Sequence, residues 1–251
     1  MKRKFFGLLA LVAVGMFFTG CLETQTCDSY GLAGKTHSAV TPSDLLGVEW
    51  WARRHQQVLD RVAQGNVDLI YVGDSITHGW EGGGNAVWQQ YYAPRNAVNM
   101  GFGGDRTQHV LWRLEHGEVD GISPKLAILM IGTNNSGGND NTAEEIADGI
   151  KAICAEMRAK LPKTKILILA IFPRGEGPSP QREKNAKASE LASKIADGKH
   201  IFYLDINDKF LGANQTLSKD IMPDLLHPNE KGYQIWAEAV EPTVKKLMGE
   251  K

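Results

Sequence analysis

Leu126-Ala127-Ile128-Leu129-Met130-Ile131 runs without a single polar side chain. A half-exposed strand alternates apolar with polar residues, so an unbroken run of this length has both faces covered, as at the centre of a parallel sheet. Asp68-Leu69-Ile70-Tyr71-Val72-Gly73 repeats the pattern and is closed by Gly, while Lys165 to Phe172, Ile201 to Ile206 and the weaker Asn96 to Met100 supply three more strands. Helical periodicity fills the gaps. Trp50 to Ala63 precedes the first strand. Thr142 with Glu145 makes a capping box ahead of Ile146, Ile150, Ile153, Cys154, Met157 and Leu161. Ser179-Pro180 joins an N-cap to Pro at the first helical position, leading into Ala186, Leu191 and Ile195. Ile235, Trp236, Ala239, Val240, Val244 and Leu247 mark a last helix. Strands separated by crossover helices predict an α/β fold, with a parallel five-stranded sheet and helices on both faces. There is no internal repeat and no second composition regime, so one domain is expected over 43–248.

The amino terminus reads differently. Lys2, Arg3 and Lys4 precede an apolar run from Phe5 to Phe18, followed by Thr19-Gly20-Cys21. That run is too short to span a bilayer, which takes roughly 20 residues, and the pattern is that of a secretory signal peptide over 1–20. Phe18-Thr19-Gly20-Cys21 resembles a bacterial lipobox, which implies lipidation of Cys21 and an exported protein anchored to the cell envelope. Residues 21–42, rich in Thr, Ser and Gly, are expected to form a flexible tether. The remaining composition is ordinary for a globular chain, with 42% hydrophobic and 23% charged residues, which excludes disordered and coiled-coil classes. Lys+Arg 28 against Asp+Glu 29 leaves a net charge of -1 and no basic face for nucleic acid. Three cysteines cannot build a disulfide framework, and Cys154 falls on the apolar face of its helix as a packed thiol.

In parallel sheets, ligands bind beyond the carboxyl ends of the strands. The residues expected there are Gly73-Asp74-Ser75, Gly101-Phe102-Gly103-Gly104-Asp105, Gly132-Thr133-Asn134-Asn135 and, after a longer loop, Asp224 and His227. Each alone has an ordinary reading. Ser75 suits an N-cap, Gly103-Gly104 a tight turn, Asn134-Asn135 a turn, and His227 before Pro228 a capping residue. Gathered on one edge, they supply what ester hydrolysis requires. Ser75 offers a nucleophilic hydroxyl, His227 a base in the right range, and Asp224 a carboxylate to fix the imidazole tautomer. The Ser75 N–H, the Gly104 N–H and the Asn134 amide can receive the developing oxyanion, each such donor being worth roughly 3–4 kcal/mol. Thr77 stands where the second Gly of a Gly-x-Ser-x-Gly elbow would be, which disfavours the standard α/β-hydrolase arrangement. The other histidines lack metal-ligand spacing, and Gly101-x-Gly103-Gly104 lacks the later Gly and acidic partner of a dinucleotide site, so neither metal nor cofactor is expected.

Gly73-Asp74-Ser75, Gly104, Asn134 and Asp224-x-x-His227 together resemble the four blocks of the SGNH (GDSL) hydrolases. The resemblance implies a three-layer α/β/α, flavodoxin-like fold, a catalytic Ser75, Asp224 and His227, and an oxyanion hole from Ser75, Gly104 and Asn134. It runs closer to the branch of the platelet-activating factor acetylhydrolase Ib catalytic subunits. Phe102-Gly103-Gly104-Asp105-Arg106-Thr107, His109 to Leu114, Gly132 to Asn135, Pro173-Arg174-Gly175-Glu176 and Gln181 to Lys187 are similar to that branch. The leader, and His227-Pro228-Asn229 with Gly232-Tyr233, look more like bacterial secreted esterases.

Further residues carry weaker expectations. Asp74 braces the turn before Ser75, and Asp105 makes structural contacts together with Arg106. Arg174, after the fourth strand, is expected either to line the cleft and contact substrate or to brace its turn. Gly82-Gly83-Gly84 makes a mobile loop beside Ser75, and Trp80 either stacks over a sugar or covers an acyl group, or else packs as part of the structure. Trp50-Trp51 covers core. The function expected is a serine esterase that releases short acyl groups, chiefly acetate, through an acyl-enzyme. Its partner would be an acyl-ester small molecule or an acetylated polysaccharide such as plant xylan. A lysophospholipase or platelet-activating-factor-type acetylhydrolase is the alternative. A non-catalytic carbohydrate-binding lipoprotein would require a lost catalytic element, and none is missing.

Overall fold

The computed structural model describes residues 29–138 and 140–250. The signal segment, Cys21 and the first part of the expected tether lie outside the described residues. Five parallel strands, β1 (Leu69–Gly73), β2 (Ala97–Gly101), β3 (Leu126–Met130), β4 (Lys165–Leu169) and β5 (Ile201–Leu204), form one sheet in the order β2-β1-β3-β4-β5. The unbroken apolar run Leu126–Met130 is the central strand and is buried along its whole length.

Among the described residues seven α-helices cover the sheet: α1 (Glu49–Ala63), α2 (Ser75–His78), α3 (Asn85–Tyr91), α4 (Thr107–Arg113), α5 (Ala143–Lys160), α6 (Pro180–Ser193) and α7 (Glu230–Met248). Successive side chains on a strand point to opposite faces, and the two cores divide accordingly. Ile70, Val72, Ala127, Leu129, Ile166 and Ile168 face one core, shared with α1, α4, α5 and α6. Leu69, Tyr71, Leu126, Ile128, Leu167 and Leu169 face the other, shared with α3 and α7. The result is the expected three-layer α/β/α arrangement. Helix starts follow local chemistry. Thr142 and Glu145 form the reciprocal capping box of α5, and the Ser179 hydroxyl accepts from the Arg182 amide ahead of Pro180 in α6.

The tether expectation needs correction over its described part. Ala39 is fully buried, and its carbonyl accepts from the Thr107 hydroxyl at 2.8 Å. Asn141 Nδ2 donates to Ser38 Oγ at 3.0 Å, and Lys35 pairs with Asp148 at 3.1 Å. Lys35, Ser38 and the Ala39 carbonyl are bonding partners of the domain instead of solvated spacer, so the folded unit starts before residue 43. The glycine loop is corrected as well. A Cβ on Gly84 would lie 2.7 Å from both Trp80 and Tyr233, so its small size serves close packing of the turn against an aromatic cluster.

Candidate active site

Strand register decides which residues meet. Gly73 pairs with Gly101 on one side and with Met130 on the other, so β1, β2 and β3 end level. Ser75, Gly104 and Asn134 therefore emerge side by side at the carboxyl edge. The fourth component arrives from the far end of the chain. Ser75 Oγ and His227 Nε2 lie 2.8 Å apart, across 152 positions of sequence. His227 Nδ1 lies 2.6 Å from Asp224 Oδ2. Asp224 Oδ1 accepts from the His227 amide at 2.7 Å and the Leu226 amide at 3.0 Å. Burial pushes the Asp224 carboxyl up, but the His227 side chain and these amides together outweigh it and hold the group below the usual carboxylate range.

The Asp-Leu-Leu-His spacing closes because Leu225 adopts a left-handed conformation, φ 60°, between the two polar residues. A branched residue there is strained, and such strain is kept where the surrounding structure demands it. The Leu225 amide donates to Met222 O and its carbonyl accepts from the Gly175 amide, both at 2.8 Å, which pins the turn.

Ser75 is the first residue of α2, and Asp74 is its N-cap, with Oδ1 accepting from the Ile76 amide at 3.0 Å. The expected bracing role of Asp74 fits this contact. Its Oδ2 is buried without a hydrogen-bond partner among the described residues, and burial raises the carboxyl to about 7. The Ser75 and Gly104 amides donate to no other group among the described residues. Gly104 has φ +76°, a conformation that turns the loop and leaves its amide beside an open face. Asn134 Nδ2 donates to the Asp105 carbonyl at 2.9 Å, which fastens the side chain next to Gly104 and leaves its second N–H available.

Behind this edge lies a buried ionic cluster that the sequence reading missed. Asp105 Oδ2 accepts from Arg113 Nε at 2.9 Å, and Oδ1 accepts from Trp51 Nε1 at 2.8 Å. Arg113 also pairs with Glu118, which meets His55 at 2.8 Å. Asp105 thus pairs with Arg113, eight residues onward at the end of α4, whereas Arg106 reaches Asp140 at 2.8 Å. A second missed contact is Tyr233, whose hydroxyl donates to the Ile76 carbonyl at 2.7 Å and so ties α7 to the helix that carries Ser75.

The two weaker substrate candidates part company. Trp80 is fully buried, with ring centroids 4.4 Å from Tyr233 and 4.9 Å from Trp236, and it cannot stack on a ligand. Its surroundings, Tyr71, Trp88, Tyr92, Tyr233 and Trp236, claim it as core. Arg174 does line a cavity of about 320 Å³ together with Ser179, Gln181 and Asp224. Of the Trp50-Trp51 pair, Trp51 is buried while Trp50 is 40% exposed and stacks on His78.

Residues 71–235 match the GDSL-like Lipase/Acylhydrolase family. The platelet-activating factor acetylhydrolase IB subunit alpha2 of Rattus norvegicus is 35% identical over 224 residues, covering 86% of this chain and 94% of that protein. Subunit alpha1 of Homo sapiens is 33% identical over 227 residues, covering 87% and 94%. Among solved structures, a GDSL-like lipase from Bacteroides thetaiotaomicron shares the fold at TM-score 0.58 and 20% identity, covering 79% of this chain and 97% of that one. A catalytic mutant of an acetylxylan esterase from Geobacillus stearothermophilus does so at TM-score 0.57 and 18% identity, covering 74% and 96%. The chain belongs to the GDSL-like lipase and acylhydrolase family, and is a carboxylic ester hydrolase.

Proposed function

We propose that this enzyme removes short acyl groups, chiefly acetyl, from acetylated carbohydrate. In this reading His227 Nε2 takes the Ser75 proton as Oγ attacks the ester carbonyl, and Asp224 stabilises the imidazolium. The oxyanion is received by the Ser75 and Gly104 amides and the Asn134 side chain. Collapse expels the alcohol with the proton held by His227, and water then releases the acid by the reverse sequence. The single observation that carries the reading is the hydrogen-bonded line Ser75–His227–Asp224, set beside a small cavity walled by Arg174, Ser179 and Gln181. The cavity also carries Leu225 and Leu226, so polar groups to orient a sugar stand beside a short apolar wall. The acetyl group is common to the names of the mammalian relatives and of the acetylxylan esterase.

The test is acetate release from acetylated xylan, with p-nitrophenyl esters as a chain-length series. Wild type should cleave p-nitrophenyl acetate and lose rate sharply beyond butyrate, while Ser75→Ala should lose about 10³-fold or more in kcat. Equal rates for the two proteins would remove the serine mechanism. The platelet-activating-factor-type reading is favoured by a similarity that spans 94% of that relative at 35% identity. Faster turnover of acetylated glycerophospholipid than of acetylated xylan would install it instead. For location, we propose export and a lipid anchor on Cys21. Cys21→Ala should then move the protein from the membrane to the soluble fraction, and an unchanged distribution would refute the anchor.

A further inference from the structure

We propose that Arg174 reads a negative charge on the substrate, so that the preferred ester carries a carboxylate or phosphate close to the acyl group that Ser75 attacks. The inference rests on the esterase reading above and names its substrate class. Three observations carry it.

The first is position. Arg174 Nη1 donates to the Thr133 carbonyl at 3.3 Å and to the Thr133 hydroxyl at 3.2 Å, and Thr133 immediately precedes Asn134. The same side chain walls the cavity that contains Asp224. Its charge is also felt by the Asp74 carboxyl, the neighbour of Ser75, which it draws downward against the larger effect of burial. The guanidinium therefore stands against the residue that precedes Asn134 and on the wall of the cavity that Asp224 also lines.

The second is valence. Arg54, Arg95, Arg106 and Arg113 are each paired with carboxylates. Arg174 has no carboxylate partner among the described residues, and its Nε and Nη2 have no protein acceptor there. Asp224, the carboxylate in the same cavity, has both oxygens committed to His227 and the local amides. A guanidinium held by one nitrogen presents the rest of its planar fork, whose geometry matches a carboxylate or phosphate.

The third is rigidity. Arg182 Nε donates to the Arg174 carbonyl at 3.1 Å and its Nη2 to the Gly175 carbonyl at 2.7 Å, so one arginine fastens the backbone that presents the other. The Ser179 oxygen accepts from the Arg182 amide, which leaves its hydroxyl proton as a second donor into the cavity.

Four acetyl esters form two pairs, each with one member that carries an anionic group and one that lacks it. One pair is the methyl glycosides of 3-O-acetylglucuronic acid and 3-O-acetylglucose. The other is 1-acetylglycerol 3-phosphate and 1-acetylglycerol. The full-length protein should favour the charged member of at least one pair by roughly tenfold or more in kcat/KM, through a lower KM. Arg174→Gln should abolish the preference, Arg174→Lys should keep part of it, and raising NaCl to about 0.5 M should compress it. A merely structural Arg174 would shift both members of a pair alike. Equal rates within both pairs, or a preference that survives Arg174→Gln, overturns the subsite. Preference confined to the sugar pair places the anion on a carbohydrate. Preference confined to the glycerol pair upholds the subsite and overturns the carbohydrate reading.

Discussion

At the scale of single residues, two polar groups on the same edge are set to opposite protonation habits. Asp224 is held charged by the donors around it, while Asp74, one residue before the nucleophile, is pushed to about 7 by burial. The consequence for stability has a definite sign. In the unfolded chain Asp74 loses its proton near the ordinary value of 3.8, whereas the folded state retains it up to about 7, so folding is progressively penalised between those limits. Asp74→Asn keeps an acceptor for the Ile76 amide and has no proton to lose. Its stability relative to wild type should therefore rise from about pH 4 to pH 7 and level off above, read by thermal unfolding at matched pH. A flat difference would refute the assignment. For catalysis, Asn134→Ala should lower kcat on p-nitrophenyl acetate by about 10²–10³ with little change in KM, because that donor serves the oxyanion more than the ground state. Asp224→Asn should cost about 10⁴ in kcat by leaving the wrong imidazole tautomer.

Among elements, strands and long helices were legible because each carries its own periodicity. The apolar runs placed all five strands within a few residues, and Thr142 with Glu145 marked the start of α5. The short helices α3 and α4 were not anticipated, being one or two turns long and stabilised by tertiary contacts. Ser75, Asp224 and His227 were readable because their chemistry is rare in combination and strand ends bring such residues together. Arg113 was not, because a buried cation and an exposed one look alike in sequence until its partners Asp105 and Glu118 are seen. Trp80 as a ligand platform failed for a related reason: a tryptophan between a histidine and three glycines suggests a mobile surface, yet Gly84 is small to admit its ring. Gly84→Ala should accordingly destabilise by about 1–3 kcal/mol through overpacking against Trp80 and Tyr233, measured by denaturant unfolding. A neutral effect would contradict the packing role.

Over the whole molecule, the segment before α1 is part of the structure and reaches the loops behind the site. Thr107, which donates to Ala39, also gives its amide to Asn135, beside Asn134. A chain beginning at Ser43 should lose about 2 kcal/mol or more relative to one beginning at Ser29, seen as a lower denaturant midpoint. Equal midpoints would return residues 29–42 to the role of a spacer. The hydroxyl and the imidazole that accepts its proton stand 152 positions apart, on segments separated by four of the five strands. A ribosome stalled anywhere in that interval releases a product with the nucleophile in place and nothing to activate it. Hydrolytic competence is thus granted only to finished polypeptide, and premature fragments stay inert toward the esters around them.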